Sequence, residues 1–296
     1  MTSHEIEFFS DGLRLSGTMY TPDPAAGACP AVVICQGFGS GRELNGQPAL
    51  AEALAAAGIA ALIFDHRGIG QSEGVKGRLI PWEQVQDIRD AINYLSGEPG
   101  IDPERLGLVG SSFGAANAIV AGAVHDSVRA VTALMPFADG RRWMQLLRRY
   151  WEFRAFADRL RADRIRRARE GRSEAVLSGD ILLRDPAGER YAQEMASRYP
   201  GRRTEIPLEV ADRLLEYAPE AFVGRIAPRP LLLIHGSEDT LIPIEESRRL
   251  AALAGDTCRL VTVPGVGHYD FYTEWPFERY KSEVIGFLRQ HLLQTR

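Results

Sequence analysis

Three short segments carry the residue types that could do chemistry together. In Leu108-Val109-Gly110-Ser111-Ser112-Phe113-Gly114, two glycines flank a serine in a G-x-S-x-G pattern between an apolar run and a run of small residues. That setting fits a tight strand-to-helix turn that lifts the Ser112 hydroxyl out of the strand end, with Gly110 and Gly114 removing side chains that would collide in the turn. A serine hydroxyl is a weak nucleophile until a base takes its proton, and the base must itself be oriented by a carboxylate. Of six histidines, His268 in Val263-Pro264-Gly265-Val266-Gly267-His268 best fits the base, because a glycine-rich loop after the last strand can swing an imidazole over the sheet edge. His4 and His291 lie near the termini, His125 follows the helix after Ser112, and His66 and His235 stand at strand ends; these five read as structural. The acid should fall between Ser112 and His268 at another strand end. Asp239 in Leu231-Leu232-Leu233-Ile234-His235-Gly236-Ser237-Glu238-Asp239 meets that requirement, with Glu238 beside it and Asp139, just past the strand ending at Met135, as competitors.

A serine, an aspartate and a histidine in that chain order point to acyl transfer, which also needs donors aimed at a developing oxyanion, each worth about 2.7 to 4 kcal/mol in the transition state. The backbone N–H of Phe113, the residue after the nucleophile, is one expected donor. The other is the N–H of Phe38, in Cys35-Gln36-Gly37-Phe38-Gly39-Ser40-Gly41, a loop with enough glycine to turn an amide toward the site. A phosphate cradle is the rival reading of that loop, but it lacks a Gly-Lys-Ser/Thr ending and does not match G-x-G-x-x-G. Nothing in the sequence calls for a cofactor or a metal.

Elements that could hold these residues in place are legible from the apolar pattern. His4 to Phe9 and Leu13 to Tyr20, joined by Asp11-Gly12, predict a hairpin. Ala31 to Cys35, Ala60 to Phe64, Arg105 to Gly110, Val128 to Met135, Pro230 to His235 and Leu260 to Val263 are short apolar runs, as expected of strands covered on both faces of a parallel sheet. Helices are predicted between them over Pro48 to Ala57, Trp82 to Leu95, Phe113 to Ala123 and Phe277 to Leu293. The expected architecture is an α/β, mostly parallel, doubly wound sheet. The rhythm breaks from residue 137 to 223. A βα connection normally needs only about 2 to 6 residues, so this stretch predicts a mainly helical cap inserted into a core of residues 1–136 and 224–296.

Composition narrows the function classes. Of 296 residues 45% are hydrophobic and 25% charged, which excludes a disordered, collagen-like or coiled-coil chain. Lys and Arg number 35 against 39 Asp and Glu, so no global field recruits nucleic acid or an anionic membrane. No apolar run approaches the roughly 20 residues of a membrane span, and the N-terminus lacks the charged-then-apolar order of a secretory signal. Three cysteines, Cys29, Cys35 and Cys258, fit neither a disulfide framework nor a zinc site, and a cytoplasmic location is the expectation.

Two further motifs carry a family resemblance. Asp65-His66-Arg67-Gly68-Ile69-Gly70-Gln71-Ser72 resembles the D-x-R-G-x-G-x-S turn of the α/β-hydrolases. Asp102-Pro103-Glu104-Arg105-Leu106-Gly107-Leu108-Val109-Gly110 is similar to the approach to the nucleophile in their dienelactone-hydrolase-like and Xaa-Pro-peptidase-like branches. The resemblance spans residues 5–135 and 225–293 and implies an α/β-hydrolase core with a cap inserted after the sixth strand. Some members place the acid after that strand, which is what keeps Asp139 in view. Where many relatives have His-Gly at the oxyanion loop, this chain has Gln36-Gly37. A serine at position 112 sets it apart from relatives with a Cys or Asp nucleophile, and so from dienelactone hydrolase, haloalkane dehalogenase and epoxide hydrolase chemistry.

The insertion carries twelve arginines between Arg141 and Arg172, among them Arg148, Arg149, Arg154, Arg159, Arg166 and Arg167, interleaved with Trp143, Tyr150, Trp151, Phe153 and Phe156. Ordinary solvation and ion pairing with Glu152, Asp158, Asp163 and Glu170 is the simpler account, and capture of a substrate carboxylate or phosphate the alternative. The expected function is hydrolysis of a carboxylic ester, with amide, thioester and carbon–carbon bonds next to a carbonyl open to the same machinery. An acyltransferase and a non-catalytic small-molecule receptor are the alternatives. The expected partner is a small acyl substrate, with neither nucleic acid nor membrane, and a homodimer is compatible with the sequence.

Overall fold

The computed structural model describes residues 1–23, 27–198, 205–272 and 274–293, the side chains of 274–276 excepted. In chain order the elements are β1 (Thr2–Ser10), β2 (Leu13–Thr21), β3 (Cys29–Cys35), α1 (Gln47–Ala56), β4 (Ala60–Phe64), α2 (Pro81–Gly97), β5 (Ile101–Ser111), α3 (Phe113–Val124) and β6 (Val128–Leu134). Then come α4 (Gly140–Leu146), α5 (Tyr150–Glu170), β7 (Ala175–Leu177), α6 (Ser178–Ile181), α7 (Pro186–Arg198), β8 (Glu205–Pro207) and α8 (Glu209–Leu214). The chain closes with β9 (Leu231–Gly236), α9 (Ile244–Ala254), β10 (Cys258–Val263) and α10 (Glu274–Leu288).

Eight strands form one sheet in the order β1-β2-β4-β3-β5-β6-β9-β10. β1 pairs antiparallel with β2, and β2 with β4, while the strands from β4 to β10 run parallel. The hairpin forms at Asp11-Gly12, whose φ values of 48° and 79° are those a two-residue turn between twisted strands requires. Burial on both faces explains the apolar runs. In β3 the side chains of Ala31, Val33 and Cys35 join one core with α2 and α3, while Val32 and Ile34 join the other with α1 and α10, the alternation of a pleated strand.

The strand predicted to end at Met135 ends at Leu134, and Met135 takes a left-handed φ of 52° that turns the chain off the sheet. The predicted terminal helix stops at Leu288 and continues as a wider turn over Arg289–Leu293. Within residues 137–223, α4 and α5 are separate helices, and a two-stranded antiparallel pair, β7 with β8, adds extended structure to a stretch predicted as mainly helical. Trp143, Phe153 and Phe156 face inward and are buried, whereas Tyr150 and Trp151 stand exposed.

Candidate active site

Ser112 caps the junction of β5 and α3 with φ 55° and ψ −120°, a backbone conformation strained for a residue with a Cβ. Three contacts force it. Ser112 N donates to Leu134 O at 2.8 Å, and Ser112 O accepts from Ala115 N at 3.0 Å and from Ala116 N at 3.2 Å, so strand pairing and helix start meet at one residue. The flanking glycines leave no alternative. A Cβ on Gly110 would sit 2.3 Å from Gly114 O, and one on Gly114 2.3 Å from both Cys35 O and Gln36 O. Helix, strand and the loop after β3 are therefore in backbone contact at the base of Ser112.

His268 Nε2 lies 3.0 Å from Ser112 Oγ, and His268 Nδ1 lies 2.7 Å from Asp239 Oδ2. The two loops that carry histidine and acid are tied to each other: Ser237 N donates to Val263 O and Glu238 N to Val266 O, both at 3.0 Å, and Gly265 N donates to Ser237 Oγ at 2.9 Å. Asp239 is saturated. Its Oδ1 accepts from the backbone N–H of Leu241 at 3.0 Å and of Ile242 at 2.8 Å, and its Oδ2 also lies 3.3 Å from Nε2 of His235. Burial alone would raise this carboxyl, but electrostatic attraction to His268 and the hydrogen bonds from His235 and His268 outweigh it and hold Asp239 well below the usual carboxylate range.

The competing residues have other employment. Asp139 caps α4, accepting from Arg142 N at 2.7 Å, and its own N–H is turned to Glu246 at 3.3 Å. Glu238 is exposed, 3.3 Å from Ser237 Oγ. Among the other histidines, His66 Nδ1 sits 3.2 Å from the buried Asp87, His125 Nε2 3.1 Å from Asn93, His291 packs on the Phe287 ring and His4 lies exposed on β1.

Ser40 N donates to Gly37 O at 3.1 Å, closing a turn with Phe38 and Gly39 at its centre, and Gly39 supplies the φ of 66° that the third position requires. The Phe38 N–H takes no part in that bond. Phe113 is the first residue of α3, so its N–H has no carbonyl within the helix to serve. The two residues are neighbours, their rings edge to face at 5.5 Å, and a Cβ on Gly37 would lie 3.7 Å from Ser112 Cβ. Gln36 does not occupy the place of a side-chain donor: its amide is turned away to Phe64 O. The Asp65–Ser72 turn steadies this loop, since Asp65 Oδ1 accepts from Arg42 N at 2.9 Å and Arg67 is bound to Asp87 by its Nε at 2.8 Å.

Residues 137–223 reach the same place. Thr240, beside the acid, donates to Asp185, and Tyr191 of α7 donates to Asn45 while stacking on Tyr269 at 4.8 Å, which in turn meets His268 edge-on at 5.4 Å. Burial pushes the Tyr269 hydroxyl up to about 12. Ser112 and His268 are only 7% and 5% exposed beneath these groups. The arginines that suggested an anion site are largely paired: Arg159 with Glu174, Arg164 and Arg167 with Asp212, Arg166 with Glu174. Arg148 instead donates to the carbonyls of Asp180 and Ile181 and lies 3.9 Å above the Phe156 ring. Among the described residues, no group of three or more His, Cys, Asp or Glu is placed to hold a metal ion, and no helix is long and apolar enough to cross a membrane.

Sequence reasoning missed the tyrosines and the second histidine on the acid. Tyr191 and Tyr269 are 78 positions apart and meet only through the fold, whereas His235, four residues before Asp239 across a turn, was close enough in sequence to be suspected.

Relatives share this framework. A thiohydrolase of Arthrinium phaeospermum is 28% identical over 295 residues, 92% of this chain and 91% of that protein. A polyketide transferase of Stachybotrys chlorohalonatus is 26% identical over 310 residues, 99% and 98% of the two chains. The crystal structure of an alpha/beta hydrolase from a Penicillium species shares the fold with a TM-score of 0.82 at 23% identity, covering 99% of this chain and all of that one. Residues 30–274 match the family described as the alpha/beta hydrolase fold. On the strand order, the strained serine between sheet and helix, and this match over most of its length, the chain belongs to the alpha/beta hydrolase family.

Proposed function

We propose that the protein is a serine hydrolase that cleaves a carboxylic ester, or the closely related thioester, through an acyl-enzyme on Ser112. The observation that carries the reading is the unbroken series of contacts from Ser112 Oγ to His268 at 3.0 Å and from His268 to Asp239 at 2.7 Å. His268 Nδ1 faces a carboxylate and so keeps its proton, which leaves Nε2 as the acceptor for the Ser112 proton. Ser112 Oγ attacks the acyl carbon, its proton passes to Nε2, and the carbonyl oxygen becomes an oxyanion held by the N–H groups of Phe38 and Phe113. His268 then gives that proton to the departing alkoxide or thiolate. A water, deprotonated by the same nitrogen, releases the acid and restores Ser112.

Residues 137–223 serve in this reading as a cap that roofs the acyl pocket, supported by the Asp185 contact to Thr240 and the Tyr191 contact to Asn45. The thiohydrolase relative favours a thioester as readily as an oxygen ester. A second reading, acyl transfer to an alcohol or amine, is favoured by the polyketide transferase that aligns with almost the whole chain.

A fluorophosphonate probe tests the nucleophile: labelling is expected in the natural chain and absent in Ser112→Ala, and a folded, unlabelled natural chain would favour a receptor that keeps the pocket without the chemistry. Product analysis of acyl esters and thioesters of graded chain length, with and without an added alcohol or amine, separates hydrolysis from transfer. Free acid alone supports the hydrolase, and acylated acceptor in its place supports the transferase.

A further inference from the structure

Asp239 presents two oxygens to two different tasks. Oδ1 is held by the Leu241 and Ile242 N–H groups, a loop anchor, while Oδ2 faces His268. Both oxygens turn together about one broad, soft torsion, so every contact to either of them bears on where Oδ2 points. A second group acts on Oδ2. His235 Nε2 lies 3.3 Å from it and 2.8 Å from Ile242 O, and since a carbonyl only accepts, that nitrogen carries a proton directed at both. The ring is held at its other end as well, with Nδ1 2.7 Å from Ser247 Oγ of α9, and both His235 and Ser247 are fully buried.

We infer that His235 is a positioning residue: it aims Oδ2 of Asp239 at His268 and locks the Ser237–Ile242 turn to the end of β9. The inference rests on the serine-hydrolase reading above. A residue serving only to fill the core would be an aliphatic like its strand neighbours Leu232, Leu233 and Ile234. Here the core position holds an imidazole with a partner at each nitrogen, one of which is shared with the acid. The groups facing Oδ2 are His235 from β9 and His268 from the loop after β10, with Tyr269 edge-on behind His268. Facing His235 itself are Asp239, the Ile242 carbonyl and Ser247, while the neighbouring Glu246 is turned to Ala138 N and Arg142. Because His235 and His268 share one oxygen, the negative charge available to a protonated His268 is divided. Removing His235 leaves the acid freer to move and its charge concentrated on His268.

The test is ester turnover against pH for His235→Phe, His235→Gln and Ser247→Ala, with Ser112→Ala run alongside. His235→Phe is expected to lower kcat about 10²-fold, the cost of a small misplacement within a reacting pair, with KM within about twofold. Its acidic limb of kcat/KM should move to higher pH, and the low-field proton resonance of the His268–Asp239 bond should shift or broaden. His235→Gln, which returns an N–H donor, should recover most of the lost kcat. Natural kcat, pH limb and proton resonance in His235→Phe would overturn the inference. Should that variant fail to fold, Ser247→Ala decides: a severalfold loss of kcat at unchanged KM supports the inference, and a natural value overturns it. Turnover that survives Ser112→Ala would instead bring down the serine-hydrolase reading, so the two failures are told apart.

Discussion

Replacing Asp239 by asparagine leaves the side chain's size almost unchanged and turns the acceptor that His268 and His235 share into a donor. Oδ1 must remain an oxygen, because it accepts two backbone N–H groups, from Leu241 at 3.0 Å and Ile242 at 2.8 Å. Flipping the amide would set its NH₂ against both donors and leave buried polar groups unpaired, at about 1 to 3 kcal/mol each. The asparagine NH₂ is therefore forced into the place of Oδ2, 2.7 Å from His268 Nδ1. An NH₂ only donates, so His268 must accept at Nδ1 and carry its proton on Nε2, where it can no longer take one from Ser112. The loss expected for a wrong histidine tautomer is about 10⁴-fold in kcat, or ~5.5 kcal/mol. Steady-state hydrolysis of an activated ester, with the Ser112 labelling rate measured in parallel, reads it. Stability changes in a direction that the same contacts set. Folded Asp239 titrates below its unfolded value of about 3.9, so it contributes stability present above pH ~4 and lost as pH falls through the lower folded value. Asp239→Asn should melt lower at neutral pH and lose part of the acid-side slope. Activity within tenfold of the natural chain would refute the tautomer argument.

Other substitutions probe the strain, the close approach and the access to Ser112. Ser112→Gly should melt higher than Ser112→Ala by about 1 kcal/mol, because glycine tolerates φ 55° and alanine keeps the offending Cβ; equal melting in differential scanning calorimetry would mean that the turn is not strained. Gly114→Ala places a methyl 2.3 Å from the carbonyl oxygens of Cys35 and Gln36, so it should cost about 1 to 3 kcal/mol or more and depress turnover by displacing the Phe38 loop, both read on the purified variant. Tyr191→Ala removes a ring stacked on Tyr269 and a bond to Asn45, and should speed fluorophosphonate labelling of Ser112 by opening the way to a hydroxyl only 7% exposed; an unchanged labelling rate would show that entry lies elsewhere.

What the sequence made legible depended on the range of the forces involved. The sheet strands could be read because burial on both faces leaves a local apolar signature, as in Ala31 to Cys35. The Ser112 turn could be read because two glycines at fixed offsets answer to backbone contacts within one strand–turn–helix unit. That Asp239 and His268 meet beside Ser112 was expected from chain order, since each loop leaves a strand end on the same edge of the sheet. Illegible were the contacts that need two distant segments at once. Tyr191 and Asn45 are 146 positions apart, and neither carries a pattern that names the other. The pairing of β7 with β8 was hidden for a different reason: three-residue strands carry too short an apolar pattern to read, and tertiary contacts such as Leu208 N to Glu174 O at 2.8 Å hold them together.

The acid's position illustrates how one part of the chain limits another. Two strand ends offered a carboxylate to His268, Asp139 after β6 and Asp239 after β9. The first is drawn into the start of residues 137–223: it caps α4, while Glu246 of α9 accepts from the N–H groups of Ala138 and Asp139 and pairs with Arg142 at 2.7 Å. Returning Asp139 to His268 would uncap that helix, at a cost of about 0.5 to 2 kcal/mol. Asp239 carries no such obligation, since its remaining contacts, the Leu241 and Ile242 N–H groups and His235, all favour its charged form. Which of the two aspartates faces His268 is therefore set by α4 and α9, the elements that open residues 137–223 and follow the Asp239 loop, rather than by Ser112 or His268.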